Sequence, residues 1–349
     1  MLIQEHIQLA PYTSFGVGGP AEQFALIDSS EALLTVLKQT TSNTTVHIIG
    51  YGSNSLISDK GLNGLTICIR GGTVQVKETE IIADAGAWWD DVVTQAISHE
   101  LWGIECLSEV PGSVGAGLYI NIAAYGQSIG ERVKWIEVWD RTLSKVVRLE
   151  KDILTWGYKK SMFQEAHNKQ LIITRACFEL SRTPTHTLTY QKALDVAEEY
   201  AYDIHTLTGR RATIIETRAR AGSLWHPDDE TNHTVGSFFR NPIVTKEQAD
   251  RVMAYDETGK TASEIKRMNK VHGGDELRVS AAHVMLASGF VRGQSWGNVK
   301  LNDKNVLKIE ALYGATAQEI YQVAKHIQRT CKEVTGIELI PEARILGEF

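Results

Sequence analysis

Cysteine is scarce in this chain. Its four cysteines, Cys68, Cys106, Cys177 and Cys331, stand far apart in 349 residues, with no C-x-x-C pair. That spacing argues against a disulfide framework or a thiolate metal site and leaves buried free thiols as the reading. The eleven histidines show no H-E-x-x-H or other ligand spacing, so no metal is expected. No apolar run approaches the length of a membrane span, and the first eight residues lack a basic region ahead of a long apolar stretch. No membrane insertion is expected, and the default reading is a cytoplasmic protein. Positive charge is not in excess either: the formal net charge is −6. Nucleic acid, which needs clustered Lys and Arg against its phosphates, is therefore not an expected partner. A local cationic pocket for a diphosphate stays compatible with that total, because net charge averages over the whole surface. The Walker pattern G-x-x-x-x-G-K-[ST] does not occur in the glycine-rich strings.

What the chain does have is glycine in two concentrated places. The strings are Gly50-Tyr-Gly-Ser-Asn54 and Pro111-Gly-Ser-Val-Gly-Ala-Gly117, the second continuing to Asn121-Ile-Ala-Ala-Tyr-Gly126. Glycine lets backbone N–H groups approach a phosphate closely. The first string follows an apolar run, Val46-His47-Ile48-Ile49, that reads as a buried strand, and it misses G-x-G-x-x-G because Ser55 stands at the third glycine. The residues after it, interrupted by Gly61 and Gly64, do not read as the helix a Rossmann turn must open. The expectation is a dinucleotide cradled by loops between strands. Asn54 and Ser53 have a plainer alternative in Asx and Ser turns. In the second string Gly112, Gly115 and Gly117 suggest positive φ and close ligand approach.

Length suggests two or three domains, and 43% apolar with 22% charged residues is ordinary for a globular protein. Residues 22–28 read as a strand and Ser30 to Leu37 as a helix, with Ser30 as its N-cap. Short strands follow at 46–49, 65–69 and 80–83. Residues 87–99 repeat apolar positions at helical spacing, and Asp90 and Asp91 suit its N-terminal turn. Strands return at 133–139, 145–149 and 171–180. Residues 190–225 carry two helical segments, 226–235 form a polar loop, 315–334 form a long helix stopped by Gly336, and Ile337–Ile340 read as the last strand. The fold class is α+β with mixed sheets.

The strings taken in order resemble one family. Thr13-Ser-Phe-Gly-Val-Gly-Gly-Pro-Ala21, the two glycine strings, Gly157-Tyr158, Gly236-Ser-Phe-Phe-Arg-Asn-Pro242 and Pro341-Glu-Ala-Arg344 occur as they do in the UDP-N-acetylenolpyruvoylglucosamine reductase (MurB) family. The resemblance runs from about Thr13 to Gly347 and thins near 195–230 and 260–310. It implies a bipartite FAD-binding domain of the vanillyl-alcohol-oxidase/PCMH type with a separate α+β substrate-binding domain. The implied boundaries are 1–183 for the FAD region (subdomains of about 1–70 and 71–183), 184–330 for the substrate domain, and a tail at 331–349 returning to the active site. Non-covalent FAD would lie on Gly50, Gly52, Ser53, Asn54, Ser55, Pro111, Gly112, Ser113, Gly115, Ala116, Asn121, Ala124, Tyr125 and Gly126. NADPH would be the reductant and UDP-N-acetylglucosamine enolpyruvate the substrate.

Within that resemblance, Ser237 is the proton donor to the substrate's C2 after hydride reaches C3. Read without it, Ser237 caps an element ahead of two core phenylalanines. Glu342 would stabilise the enolate-like intermediate, provided that a proton or a cation offsets its charge; otherwise it is a surface carboxylate near the chain's end. Tyr158, Tyr190, Asn241 and Arg344 match substrate contacts. Two departures stand out. Tyr158-Lys159-Lys160-Ser161 puts Lys159 where the family has arginine, keeping the charge but losing the planar fork that grips a carboxylate. And Arg218-Ala-Arg-Ala-Gly-Ser-Leu-Trp-His-Pro227 lacks the lysine expected on the diphosphate, leaving Arg218, Arg220 or His226 as substitutes. None of the eight tryptophans is assigned a role. Two rivals stay open: an oxidase of the same fold with covalent flavin, against which His47 sits inside a strand, and a ligand-binding paralogue without turnover.

Overall fold

The computed structural model describes residues 3–41, 43–229, 231–254 and 277–349. Parts of the expected loop 226–235 and of the expected substrate domain therefore lie outside the described residues. The chain forms two compact units, one of residues 1–7, 21–52 and 63–227, the other of 8–20, 53–62 and 228–349. Residues 184–227 pack within the first of them.

In the first unit, a four-stranded sheet runs in the order Gln4–Gln8, Pro20–Ile27, Leu62–Ile69, Val46–Ile49, the last two strands parallel. Helix Ser30–Leu37 covers it through Leu33, Val36 and Leu37, which pack on Ala25, Ile27, Leu65 and Ile67. The N-cap is Ser29, whose hydroxyl accepts from the Ala32 N–H. Ser30, expected there, is instead buried and donates to Asp84 (2.7 Å) and to the Thr174 carbonyl (2.8 Å). The serine one residue earlier has the extended backbone a cap requires.

An antiparallel five-stranded sheet follows in the order Lys145–Glu150, Val133–Asp140, Leu171–Glu179, Glu80–Asp84, Val74–Lys77. Its core is closed by helix Trp89–Ser98, whose buried Trp89, Val92, Val93 and Ala96 fall on one face at helical spacing. Helices Gln191–Glu199 and Leu207–Arg220 pack around Cys106, Leu188, Ala193 and Ile214.

The second unit holds a four-stranded sheet in the order Thr234–Ser237, Lys308–Ala311, Val299–Leu301, Ser295–Trp296. Helix Ala317–Thr335 lays Ile320, Val323, Ala324 and Ile327 into this unit's core. Thr316 and Glu319 form a capping box, and the Asp59 carboxylate accepts from the Ala317 and Gln318 N–H groups (2.9 and 2.8 Å). Gly336, at φ +72°, ends it. Ile337–Ile340 is not the last strand: its Ile340 carbonyl accepts from the Arg240 N–H (2.9 Å), and just beyond it stands only an isolated Phe239–Pro341 bridge. The last strand is Arg344–Leu346, parallel to Ser55–Ile57. The alternation of buried 337 and 339 with exposed 338 and 340 imitates a strand, but no continuous ladder partners it.

All four cysteines are free and buried, and burial pushes the Cys68 and Cys331 thiols up to about 11. Among the described residues no helix is long and apolar enough to cross a membrane.

Candidate active site

In the first unit the two glycine strings meet. A Cβ on Gly50 would fall 2.6 Å from Ser113 Oγ and 3.6 Å from Ala116 Cβ. Bare backbone is a condition of that approach. Gly52 turns the chain at φ +67° and Gly112 at φ +132°, the latter a region that side chains rarely enter. Pro111 and Gly112 lead to Ser113, whose hydroxyl accepts from the Ala116 N–H at the start of helix Val114–Ile120. Here the expectation of loops between strands fails for the second string, which opens a short helix. Gly115 and Gly117 are helical, without positive φ, because their role is packing: a Cβ would sit 3.0 Å from Ala85 Cβ and 3.2 Å from Ile122 Cδ1 respectively. The first string behaves as expected, running into strand Ser55–Ile57 with no helix.

The helix ends at Asn121, in the left-handed conformation at φ +51°. Its side-chain amide donates to the Gly157 carbonyl (2.9 Å) and its oxygen accepts from the Gly130 N–H (3.1 Å). Ala124 lies in a two-stranded hairpin whose turn, Tyr125-Gly126, has φ of +50° and +89°. The Tyr125 ring meets that of Tyr190 edge-on at 5.3 Å. Burial raises the Tyr125 pKa, against the pull of the Arg218 guanidinium hydrogen-bonded to it. Tyr190 itself directly precedes helix Gln191–Glu199.

Tyr158 and Lys159 form the two-residue turn between Trp156–Gly157 and Lys160–Ser161. Lys159 has φ +52°, a position that usually goes to glycine or asparagine. The turn is tied down by Asn121 at Gly157, by Ser161 Oγ to the Tyr119 carbonyl (2.6 Å), and by Gln164, which donates to the Tyr119 (2.8 Å) and Lys159 (3.2 Å) carbonyls. Lys160, the other candidate ammonium, is 57% exposed at its side chain and lies 3.5 Å from Glu165.

The three expected diphosphate cations are all engaged within the protein. Arg220 grips Glu199 and Glu216, and His226 lies 3.2 Å from Glu109. Arg218 is buried and donates to the Ser223 carbonyl (2.6 Å). Sequence reasoning assigned nothing to Tyr51 or Trp88, yet their rings meet at 4.7 Å, with Arg70 over Tyr51 and donating to the Gly50 carbonyl (3.3 Å). An aromatic residue inside a glycine string was the available signal.

In the second unit, Ser237 ends strand Thr234–Ser237, and Lys308 stands directly across from it in the register. The Glu342 N–H donates to the Phe238 carbonyl (2.7 Å), which sets Glu342 beside the residue that follows Ser237. Asn54 holds the same segment twice: its amide donates to the Glu342 carbonyl (3.2 Å) and its carbonyl accepts from the Arg344 N–H (2.9 Å). Ser55 pairs with Arg344 in the ladder, one residue after Asn54 and two after Ser53. Asn241 Oδ1 accepts from the Ala281 N–H (2.9 Å), at the head of helix Ala281–Ala287.

The glycine-bared meeting of Gly50 with Ser113, beside hydroxyl and aromatic side chains, suits the close approach of a dinucleotide. Fold and strings together define the class: an α+β flavoprotein. Residues 21–150 match the FAD-binding domain model. Residues 227–346 match the model of the UDP-N-acetylenolpyruvoylglucosamine reductase C-terminal domain, and the resemblance to that reductase family spans both matched regions. It is 28% identical to the UDP-N-acetylenolpyruvoylglucosamine reductase of Streptomyces coelicolor, over 97% of this chain and 89% of that one. To the protein of the same name from Salinispora arenicola it is 29% identical, over 96% and 93%. Its fold is similar to the crystal structure of the Thermus caldophilus enzyme (MurB), with TM-score 0.67, 19% identity, and coverage of 99% of this chain and 100% of that one.

Proposed function

We propose that this protein catalyses the FAD-dependent, NADPH-driven reduction of UDP-N-acetylglucosamine enolpyruvate to UDP-N-acetylmuramate, a step in cytoplasmic peptidoglycan precursor synthesis on which cell shape and division depend. The observation that carries the reading is the family match over 227–346, which contains both Gly236–Pro242 and Pro341–Arg344, joined by the Glu342 to Phe238 hydrogen bond of 2.7 Å. In this reading residues 1–183 with the tail 331–349 serve FAD, and 184–330 serve the substrate. Bound FAD would take two electrons from NADPH and supply them to the alkene as hydride.

The chain's own residues do the rest. Gly50, Gly52, Ser53, Asn54, Ser55, Pro111, Gly112, Ser113, Gly115, Ala116, Asn121, Ala124, Tyr125 and Gly126 shape the cofactor's seat, directly or by packing. Lys159 offsets the negative charge that spreads onto the substrate carboxylate. Ser237 gives its hydroxyl proton to C2, and a serine is so poor an acid in water that its placement must do much of the work. Glu342 acts beside it, while Tyr158, Tyr190, Asn241 and Arg344 orient the substrate.

The test is anaerobic: reduce the flavin with NADPH, add UDP-N-acetylglucosamine enolpyruvate, and follow the visible absorbance. Prompt return of the oxidised spectrum is expected. Flavin that stays reduced would overturn the substrate assignment, and absence of flavin would overturn the reading altogether. Ser237→Ala should still accept electrons from NADPH but be reoxidised at least about 100-fold more slowly. Equal loss in both half-reactions would mark Ser237 as structural.

A further inference from the structure

Lys308 is 1% exposed, one of the largest fully buried side chains among the described residues. Lysine is almost never fully buried unless its ammonium is paired, because the hydration it gives up must be made good. Ile309 and Ala311 of its strand, with Leu307 just before it, face the unit's core, which puts Lys308 and Glu310 on the opposite sheet face. Glu310 on that face is paired with Lys300 at 3.3 Å.

The residue directly across from Lys308 is Ser237. The Phe238 N–H donates to the Leu307 carbonyl (2.8 Å), the bond that flanks a narrow, non-hydrogen-bonded antiparallel pair. In such pairs the Cα atoms stand about 4.5 Å apart and the two side chains share a face at their closest. The Lys308 and Ser237 side chains therefore leave neighbouring points on one face of the sheet.

We propose that Lys308 is a positioning residue for proton delivery, acting through Ser237. This rests on the reading of Ser237 as the proton donor. As the Ser237 O–H bond breaks and the C–H bond at C2 forms, an alkoxide is left on Ser237. A fixed positive charge beside that oxygen in a water-poor setting stabilises it with little reorganisation. The alkoxide recovers its proton from water as product leaves, so Lys308 ends each cycle unchanged.

The test compares substrate-driven reoxidation with NADPH-driven reduction in wild type, Lys308→Met and Lys308→Arg, and repeats the Met change in Ser237→Ala. Melting temperature and flavin content monitor folding, and Lys308→Gln replaces Lys308→Met should the latter not fold. The expected result is a reoxidation-to-reduction ratio at least tenfold lower in Lys308→Met, largely restored in Lys308→Arg, with a larger solvent deuterium effect on reoxidation. In the Ser237→Ala background the same change should have no further effect, since the group it acts through is gone. Lys308→Met reoxidising within twofold of wild type, or slowing Ser237→Ala as much as it slows wild type, overturns the inference. A wild type that does not reoxidise at all overturns the reading of the site, and this inference with it.

Discussion

Lys159 shows how much one residue can carry that its type alone does not announce. Its identity is a departure visible in the sequence, but its left-handed backbone at φ +52° is not. A side chain there costs about 1–2 kcal/mol, and the chain retains it. Asn121 and Gln164, holding the carbonyls of Gly157 and of Lys159 itself, oppose that strain. Replacing Lys159 with glycine should then raise stability by up to about 1 kcal/mol, read as a higher melting temperature, while substrate-driven reoxidation collapses. Lys159→Arg should keep or raise that reoxidation. A folded but inactive Lys159→Arg would show that the ammonium does not occupy the arginine's site. Asn54 makes the same point from the other side. Its motif suggests a phosphate contact, whereas the structure also spends its amide on the Glu342 carbonyl, 288 residues away.

Elements were legible where periodicity and end signals agreed. Helix Ala317–Thr335 has an apolar stripe, a Thr-x-x-Glu start and a glycine stop, and all three are local. What locality hides is Asp59, whose carboxylate takes two of the helix's first N–H groups from a distant segment. Asp59→Ala should lower stability by about 1–2 kcal/mol, measured as a drop in the denaturant midpoint, with Asp59→Asn losing less. No change in midpoint would mean that water satisfies those groups equally well. The second glycine string misled for the opposite reason. Glycine is a poor helix former, yet Ala85 and Ile122 lie so close that a side chain would make them shift, and the segment winds into Val114–Ile120 regardless.

Across the molecule, the buried polar groups decide which elements stay together. Asp84 joins three of them: it accepts from Ser30 in the first helix, from the Thr73 N–H (2.9 Å), and from Arg175 in the Leu171–Glu179 strand (3.1 Å). Burial by itself pushes the Asp84 pKa up, but these donors outweigh it and hold it below the usual carboxylate value. The folded state therefore binds the proton less readily than the unfolded chain. The resulting stabilisation is complete above about pH 4 and is lost as pH falls through the lower folded pKa. Asp84→Asn should cost about 1–3 kcal/mol at pH 7, and its melting-temperature gap to wild type should narrow between pH 6 and pH 3. A gap independent of pH would show that packing, not ionisation, carries the effect.

By itself the sequence determined the class of fold, the glycine strings, most helices and strands, and the family resemblance, since all of these follow from local pattern or from motif order. Tertiary structure alone decided which backbone each string adopts, that Asn54 clamps the segment carrying Glu342, that Ser29 and not Ser30 caps the first helix, and that a lysine lies buried opposite Ser237. Those outcomes rest on contacts between residues tens to hundreds of positions apart, where close packing and hydrogen-bond satisfaction override the propensities that a sequence displays.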